Sequence, residues 1–316
     1  VKDQLAHAFD CFRWNNFERA RLEFEKHKRT GKATNHTNYY YAQSLLALGD
    51  YANGFIEFCR MRGPLPERYK TMPIWRGEAN VPVIILHECG FGDGVQLMRF
   101  IPQVRRIASS VALDMPPELQ RLASQLAPLV TEKDDGYVCP LFDLMLILKA
   151  SPKTIPLPPY LKPDPAWVEP WREKVGNHGR TCIGLVWSTK YGPEQQAAER
   201  RPIPLQHLLK WLPLKGEYFS LQPQERQLAT RFNVRNFDIT DFADVAALTS
   251  LMDIVVSVDT AALHVIGALN HPTAFGIMPY AATWRWVGNH WYPRLRLVQQ
   301  TFPGDWMSAF AQIASI

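Results

Sequence analysis

The chain has 316 residues, 47% of them hydrophobic, with 35 Lys and Arg against 30 Asp and Glu for a formal net charge of +5. This length and apolar content provide for two or three domains with real cores, and the mild, scattered charge suits an anionic small molecule better than a nucleic-acid groove. Five cysteines, at 11, 59, 89, 139 and 182, form no CxxC pair, which points away from a zinc site and from a disulfide framework. No apolar run reaches the length of a membrane span and the first residues do not read as a signal peptide, so a cytoplasmic chain without a transmembrane segment is expected.

Residues 1–62 read as helices, and they repeat. Phe17 and Tyr51 stand 34 residues apart, as do Phe24 and Phe58, Ala8 and Ala42, and Phe12 and Leu46. Asn15-Asn16-Phe17 and Gly49-Asp50-Tyr51 fall at equivalent turns. The period resembles that of tetratricopeptide helix pairs, modules that present a partner surface. Two repeats are fewer than usually stand alone, so they are expected to lean on the next domain. A protein partner is expected here and catalysis is not.

Residues 63–80 are punctuated by Pro and Gly and read as a linker. Residues 81–150 form a first α/β domain. Val81 to Leu86 is a strand, His87 to Gly94 a Gly-rich turn, and Val95 to Ile107 a helix. Val111 to Asp114 is a second strand, Glu118 to Leu126 a helix, and Tyr137 to Leu148 a strand plus helix. Residues 151–170, with seven prolines, read as a stiff connector. Residues 171–316 form a second α/β domain. Its strands are Cys182 to Trp187, Tyr218 to Leu221, Ile254 to Val258 and Thr273 to Met278; its helices are Leu205 to Trp211, Glu225 to Phe232 and Phe242 to Leu251.

The densest signal is Asp253–Pro272, DIVVSVDTAALHVIGALNHP. A β-branched run ends at Asp259-Thr260, either of which can cap the helix Ala261 to Leu269, and Asn270 with Pro272 ends that helix. The N–H groups of its first turn are a site for a phosphate or diphosphate. His264, one turn in, faces the same way or packs structurally.

The other signal is Gly90-Phe91-Gly92-Asp93-Gly94. With Asp114 about 20 residues on, it approaches a dinucleotide fingerprint, but it reads GxGxG, and Asp93 places a carboxylate where a pyrophosphate would lie. That carboxylate at a cleft-facing turn suits a general base; a helix N-cap is the alternative.

The segment His87–Phe100, HECGFGDGVQLMRF, resembles the E-x-G-x-GD-x-x-Q-x-x-R-[FY] signature of bacterial tetratricopeptide-linked GT-B glycosyltransferases, relatives of the ADP-heptose:lipopolysaccharide heptosyltransferases. Further blocks agree in order: Gly184–Trp187, Arg201–Leu205, Ser220–Gln222, Asp259–Leu269, and Trp284-Arg285-Trp286 with Trp291-Tyr292-Pro293 and Arg296-Leu297. They span residues 81–306. Cys89, Pro202 and Thr283 depart from the pattern.

The resemblance implies two Rossmann-like domains facing a cleft, preceded by the helical segment. It implies inverting transfer of a sugar from a nucleotide diphosphate sugar to a hydroxyl of a saccharide, lipid-linked saccharide or protein. Attachment at the inner-membrane surface stays open. Asp93 is then the catalytic base, and Arg201, Asp259, Thr260, Ala261 and His264 bind the donor, with Lys190 a second candidate for the phosphates. Ser220, Leu221 and Gln222 lie near the nucleotide base or ribose, and Glu88, Gly90, Gly92 and Gln96 on the acceptor side. Arg201 and the helix start supply positive charge to a departing diphosphate. The absence of a DxD motif fits metal independence, and no cofactor or nucleic-acid partner is expected. Trp284, Trp286 and Trp291 either stack a ligand or fill a core. Two other readings remain open: a non-catalytic scaffold with a degenerate nucleotide-sugar fold, and an NAD(P) oxidoreductase using Gly90, Gly92, Gly94 and Asp114.

Overall fold

A computed structural model describes residues 2–176, 179–189 and 201–314; Lys190 lies outside the described residues. Two parallel sheets carry the body of the protein. In the first, β1 (Pro82–Leu86) is flanked by β2 (Ser110–Asp114) and β3 (Tyr137–Pro140), in the order β2-β1-β3. The run Val83–Leu86 is buried throughout, as a strand covered on both faces must be. In the second, β4 (Cys182–Val186), β5 (Glu217–Ser220), β6 (Ile254–Val258), β7 (Ala274–Met278) and β8 (Arg296–Gln299) take the order β5-β4-β6-β7-β8.

Each sheet reverses its winding once. β1 has its two successors on opposite sides, and β5 and β6 flank β4. Loops leaving the strands at such a switch point diverge, opening a crevice at the carboxyl ends. The segment after β1 (residues 87–90) and, among the described residues, those after β4 and before α10 (187–189 and 201–204) and after β6 (259–260) are the ones so placed. Helices cover the sheets. α5 (Phe91–Leu97), α6 (Ile101–Ile107), α7 (Pro117–Ala123) and α8 (Asp143–Ile147) belong to the first unit. α9 (Pro165–Val175), α10 (Leu205–Trp211), α11 (Arg226–Arg231), α12 (Phe242–Thr249), α13 (Ala261–Ala268) and α14 (Trp306–Ala314) belong to the second.

Ahead of them come α1 (Lys2–Arg13), α2 (Phe17–Arg29), α3 (Asn35–Ala47) and α4 (Tyr51–Arg60). The 34-residue repeat is visible in their turns. Asn15 and Gly49 both take positive φ, 57° and 83°, and the next residues, Asn16 and Asp50, cap α2 and α4 through their side chains. Buried Ala20 and Gly54 are likewise 34 apart, and a Cβ at Gly54 would lie 2.5 Å from Leu46 Cγ. The segment leans on the body as expected. Tyr51 stacks on Trp291, and Phe55 meets Trp284 edge-on. Just after α4, Arg62 bridges Glu88 and Asp143.

The structure redraws several sequence boundaries. Residues 63–80 are not a free linker, because Ile74 bridges in parallel to Val138 and Trp75 is fully buried against the first sheet. The Pro-rich stretch 151–170 ends inside α9, with Asp164 as N-cap and Pro165 at a first-turn position where its missing N–H costs nothing. The helix expected over 95–107 begins at Phe91 and breaks into α5, a 3-10 turn over Met98–Phe100, and α6. Asn270 does end α13, in the left-handed region at φ 56°.

Candidate functional site

The two units meet where α5 and α13 begin. Gly90 is the N-cap of α5 with an ordinary φ of −66°, so Gly92, Asp93 and Gly94 are first-turn helical residues rather than an open turn, and Asp93 is not an N-cap. The glycines are there for space. A Cβ on Gly92 would stand 2.8 Å from His264 Cδ2 and 3.4 Å from the Cα of Ala261, the first residue of α13. A Cβ on Gly94 would stand 2.8 Å from His87 Cδ2. Close approach is required here by protein side chains.

Asp93 reaches across to the second unit. Arg285 Nε donates to its Oδ1 at 2.6 Å, and a second guanidinium nitrogen meets the same oxygen. Arg285 is buried, its guanidinium 4.8 Å from the centre of the Trp284 ring. Oδ2 lies on the Gly90 side, and a Cβ on that residue would be 3.7 Å away. The contact pins the carboxylate and leaves its second oxygen for another partner.

Arg201 and Asp259 face each other at the switch point of the second sheet, Nε to Oδ2 3.5 Å, with Asp259 buried. Neither Asp259 nor Thr260 caps α13. Thr260 is in N-cap geometry, yet its side chain makes no cap bond and its Oγ1 is buried without a partner. The first turn therefore keeps N–H groups that no side chain satisfies.

His264 departs from its expected role. It is buried, Nδ1 lies 2.9 Å from the Tyr292 hydroxyl, and its ring lies over Trp286 at 4.8 Å. Burial, with Arg285, Arg99 and Arg201 nearby, pushes its pKa well below the ordinary value, so it packs as a neutral ring and brings no charge to a phosphate.

A cavity of about 350 Å³ opens beside Arg201 and Asp259. One wall is the strap Pro279, Ala281, Ala282 and Thr283, two residues before Arg285. The opposite wall is one that sequence reasoning does not reach: it comes from the helical segment, with Phe9 and Phe12 of α1 and Tyr40 and Gln43 of α3. These helices are seated there because Asn15 Nδ2 donates to the Tyr280 carbonyl at 2.6 Å and Trp14 packs edge-on against the Tyr280 ring.

Other expected site residues serve the fold instead. Ser220, Leu221 and Gln222 are buried, and the Gln222 side-chain oxygen accepts from the amides of Trp187 and Ser188 at 2.9 and 3.0 Å. They shape the end of β4. Glu88 pairs with Arg62 and accepts from the Phe142 amide, bracing the helical segment on the first unit. Gln96 is buried with both amide ends unpartnered. Trp284, Trp286 and Trp291 are core.

Arg99 is a residue that sequence reasoning misses. Fully buried, it lies 4.8–4.9 Å from the Tyr160, Trp291 and Tyr292 ring centres. It donates to the carbonyls of Gln96, Pro156 and Trp291, tying both units and the Pro-rich stretch together. Its place within the Gly-rich segment's signature is the available signal.

No family model matches the chain. Its fold is similar to that of the glycosyl transferase family 9 crystal structure from Veillonella parvula, with a TM-score of 0.53 and 9% identity, covering 75% of this chain and 96% of that one. At such identity the likeness is one of fold, two parallel α/β units in a GT-B-like arrangement. In sequence, the chain is 24% identical over 322 residues to Protein FlbA of Caulobacter vibrioides, a match covering 87% of this chain and 53% of that protein. The chain thus spans about half the length of that relative. Among the described residues no helix is long and apolar enough to cross a membrane.

Proposed function

We propose that the chain is a glycosyltransferase of the heptosyltransferase-like GT-B type, carrying a tetratricopeptide-like helical segment. It moves a sugar from a nucleotide diphosphate sugar to a saccharide or protein hydroxyl by inverting, metal-independent displacement. One observation carries the reading. Arg201 and Asp259, just ahead of α13, line a cavity whose strap leads on to Arg285, and Arg285 holds Asp93. The cation Arg201 and, through Arg285, the carboxylate Asp93 are thus linked along one strap. The fold likeness to a glycosyl transferase family 9 structure supports the same reading.

In this proposal the diphosphate takes over Arg201 from Asp259 and accepts from the first-turn amides of α13, which stabilise the charge that grows on the leaving group. Asp93 Oδ2 takes the proton of the attacking hydroxyl while Oδ1 stays on Arg285. The fit of Gly92 on His264 helps to keep water from the reacting atoms.

The oxidoreductase reading has little support, since the Asp114 carboxylate accepts from the Tyr69 hydroxyl at 2.7 Å and Gly92 packs on His264. The scaffold reading has one observation on its side, the Asp93–Arg285 pair, which an active base must share with its substrate.

A calorimetric screen of UDP, GDP, ADP, CDP and their sugar conjugates, followed by assay of nucleoside diphosphate release, tests the proposal. Arg201→Ala should weaken nucleoside diphosphate binding by about 1.5–3 kcal/mol, the range for a charged hydrogen-bond partner. Asp93→Asn should keep donor binding and lower turnover by about 10²–10⁴. Unchanged affinity in the first variant removes Arg201 from the site. Undiminished turnover in the second removes Asp93 as base, and binding without turnover in the wild type favours the scaffold.

A further inference from the structure

The helical segment ends on the rim that carries Asp93. Just past α4, Arg62 engages its whole guanidinium with two loops at the carboxyl ends of the first sheet. Nε and one terminal nitrogen donate to the two oxygens of Glu88, after β1, and both terminal nitrogens donate to the two oxygens of Asp143, after β3. Glu88 Oε1 also accepts from the Phe142 amide at 3.3 Å, and Phe58 of α4 stacks on the Phe142 ring. The side chains of Arg62, Glu88 and Asp143 are 21%, 17% and 16% exposed, too enclosed for water and salt to screen them as they screen a surface pair.

Two carboxylates therefore share one cation. Removing one partner from an enclosed pair leaves charge without compensation. Here it leaves two like charges, which drives apart the loops that carry them. A shift of Glu88 has little chain in which to fade. Gly90 is already the N-cap of α5, its carbonyl accepting from the Gly94 amide at 2.9 Å, so only Cys89 stands between the tethered residue and the helix. Asp93 lies in the first turn of that helix.

We propose that Arg62 is a positioning residue for the transfer reaction: by holding Glu88 and Asp143 together it fixes the loop from which α5 starts, and so keeps Asp93 in place against Arg285. Resting on the glycosyltransferase reading, this role gives the helical segment a part in turnover rather than in donor binding. It also leaves Glu88 unavailable as a base, since both of its oxygens are engaged.

The test compares wild type, Arg62→Met, Arg62→Lys and Arg60→Met as full chains; Arg60, on α4 and paired with Glu57, is the ion-pair control. Calorimetry with UDP, GDP, ADP and CDP and their hexose conjugates gives donor affinity and stoichiometry. Release of nucleoside diphosphate gives turnover, and hydrogen exchange follows the amides of residues 87–97. Arg62→Met should bind donor with wild-type stoichiometry and within about two-fold of wild-type affinity, while turnover falls roughly ten- to hundred-fold, the scale of a misplacement of about 1 Å. Arg62→Lys restores the charge without the fork and should recover part of the loss, and Arg60→Met should match wild type. Exchange in Arg62→Met should quicken over residues 87–94 and not over the strands. Turnover that falls only in step with binding stoichiometry would reduce Arg62 to a folding role and overturn the proposal. So would wild-type turnover in Arg62→Met, or unaltered exchange over residues 87–94. If Arg62→Met does not fold, Arg62→Lys is read by the same comparison. Failure of the underlying function looks different: no diphosphate or conjugate then binds wild type, whatever the exchange shows.

Discussion

Replacing Gly92 by Ala tests how the two units are joined. The added methyl would sit 2.8 Å from His264 Cδ2 and 3.4 Å from the Ala261 Cα. The His264 ring cannot swing clear, being held by the Tyr292 hydroxyl at 2.9 Å and covered by Trp286. The starts of α5 and α13 must therefore separate. Overpacking of this kind costs about 1–3 kcal/mol. Ala gains up to about 1 kcal/mol over Gly in a helix interior and less in a first turn, so the clash wins. Gly90→Ala is the matched control, with φ −66° and its nearest neighbour 3.7 Å away, and should be near neutral. Urea unfolding of the three proteins should give a lower midpoint for Gly92→Ala alone, together with lower turnover as Asp93 moves relative to Arg201. A Gly92→Ala protein as stable as Gly90→Ala would refute the claim that this glycine exists to let the two units touch.

Two further outcomes stem from burial. His264 and His271 both have pKa values lowered from the ordinary 6.5, first by desolvation, so in the folded state they stay neutral where the unfolded chain takes up protons. Stability is then full above about pH 6.5 and falls below it, by about 1.4 kcal/mol per pH unit for each such histidine until the folded ring also protonates; urea midpoints between pH 7.5 and 5 check the slope, and a flat profile would contradict it. Deleting residues 1–62 uncovers Trp284 and Trp291, now 1% and 0% exposed, and should yield protein that aggregates or binds a hydrophobic dye; a soluble, dye-silent truncation would show that the helices pack only loosely.

Local pattern is a good guide where one segment decides its own fate. The β-branched run of β6, the helix after it and its end at Asn270 are where the composition puts them, because a buried strand and a left-handed stop are local requirements. The same holds for the 34-residue repeat. Strand β8 and α14 are not legible in this way. Arg296–Gln299 offers only four residues, beginning with a charged one, and holds its place by pairing with β7. His264 shows the limit more sharply. A histidine one turn into a phosphate-ready helix is a reasonable ligand by spacing, but its role depends on Gly92, Trp286 and Tyr292, none of them its neighbours in sequence.

The sequence by itself determined the parallel α/β units, the helical repeat ahead of them, and the loops that carry Asp93, Arg201 and Asp259, because strand composition, helix stops and residue period are properties of contiguous residues. Only the tertiary structure decided what those loops face. The pairing of Asp93 with Arg285 spans 192 residues, and the hydrogen bond that seats α1 and α2 on the strap, from Asn15 to Tyr280, spans 265. No short-range pattern encodes such pairs: they form because the packing of Tyr51 and Phe55 on Trp284 and Trp291 buries more apolar surface than either side could bury alone, and this packing brings the helical wall to the cavity.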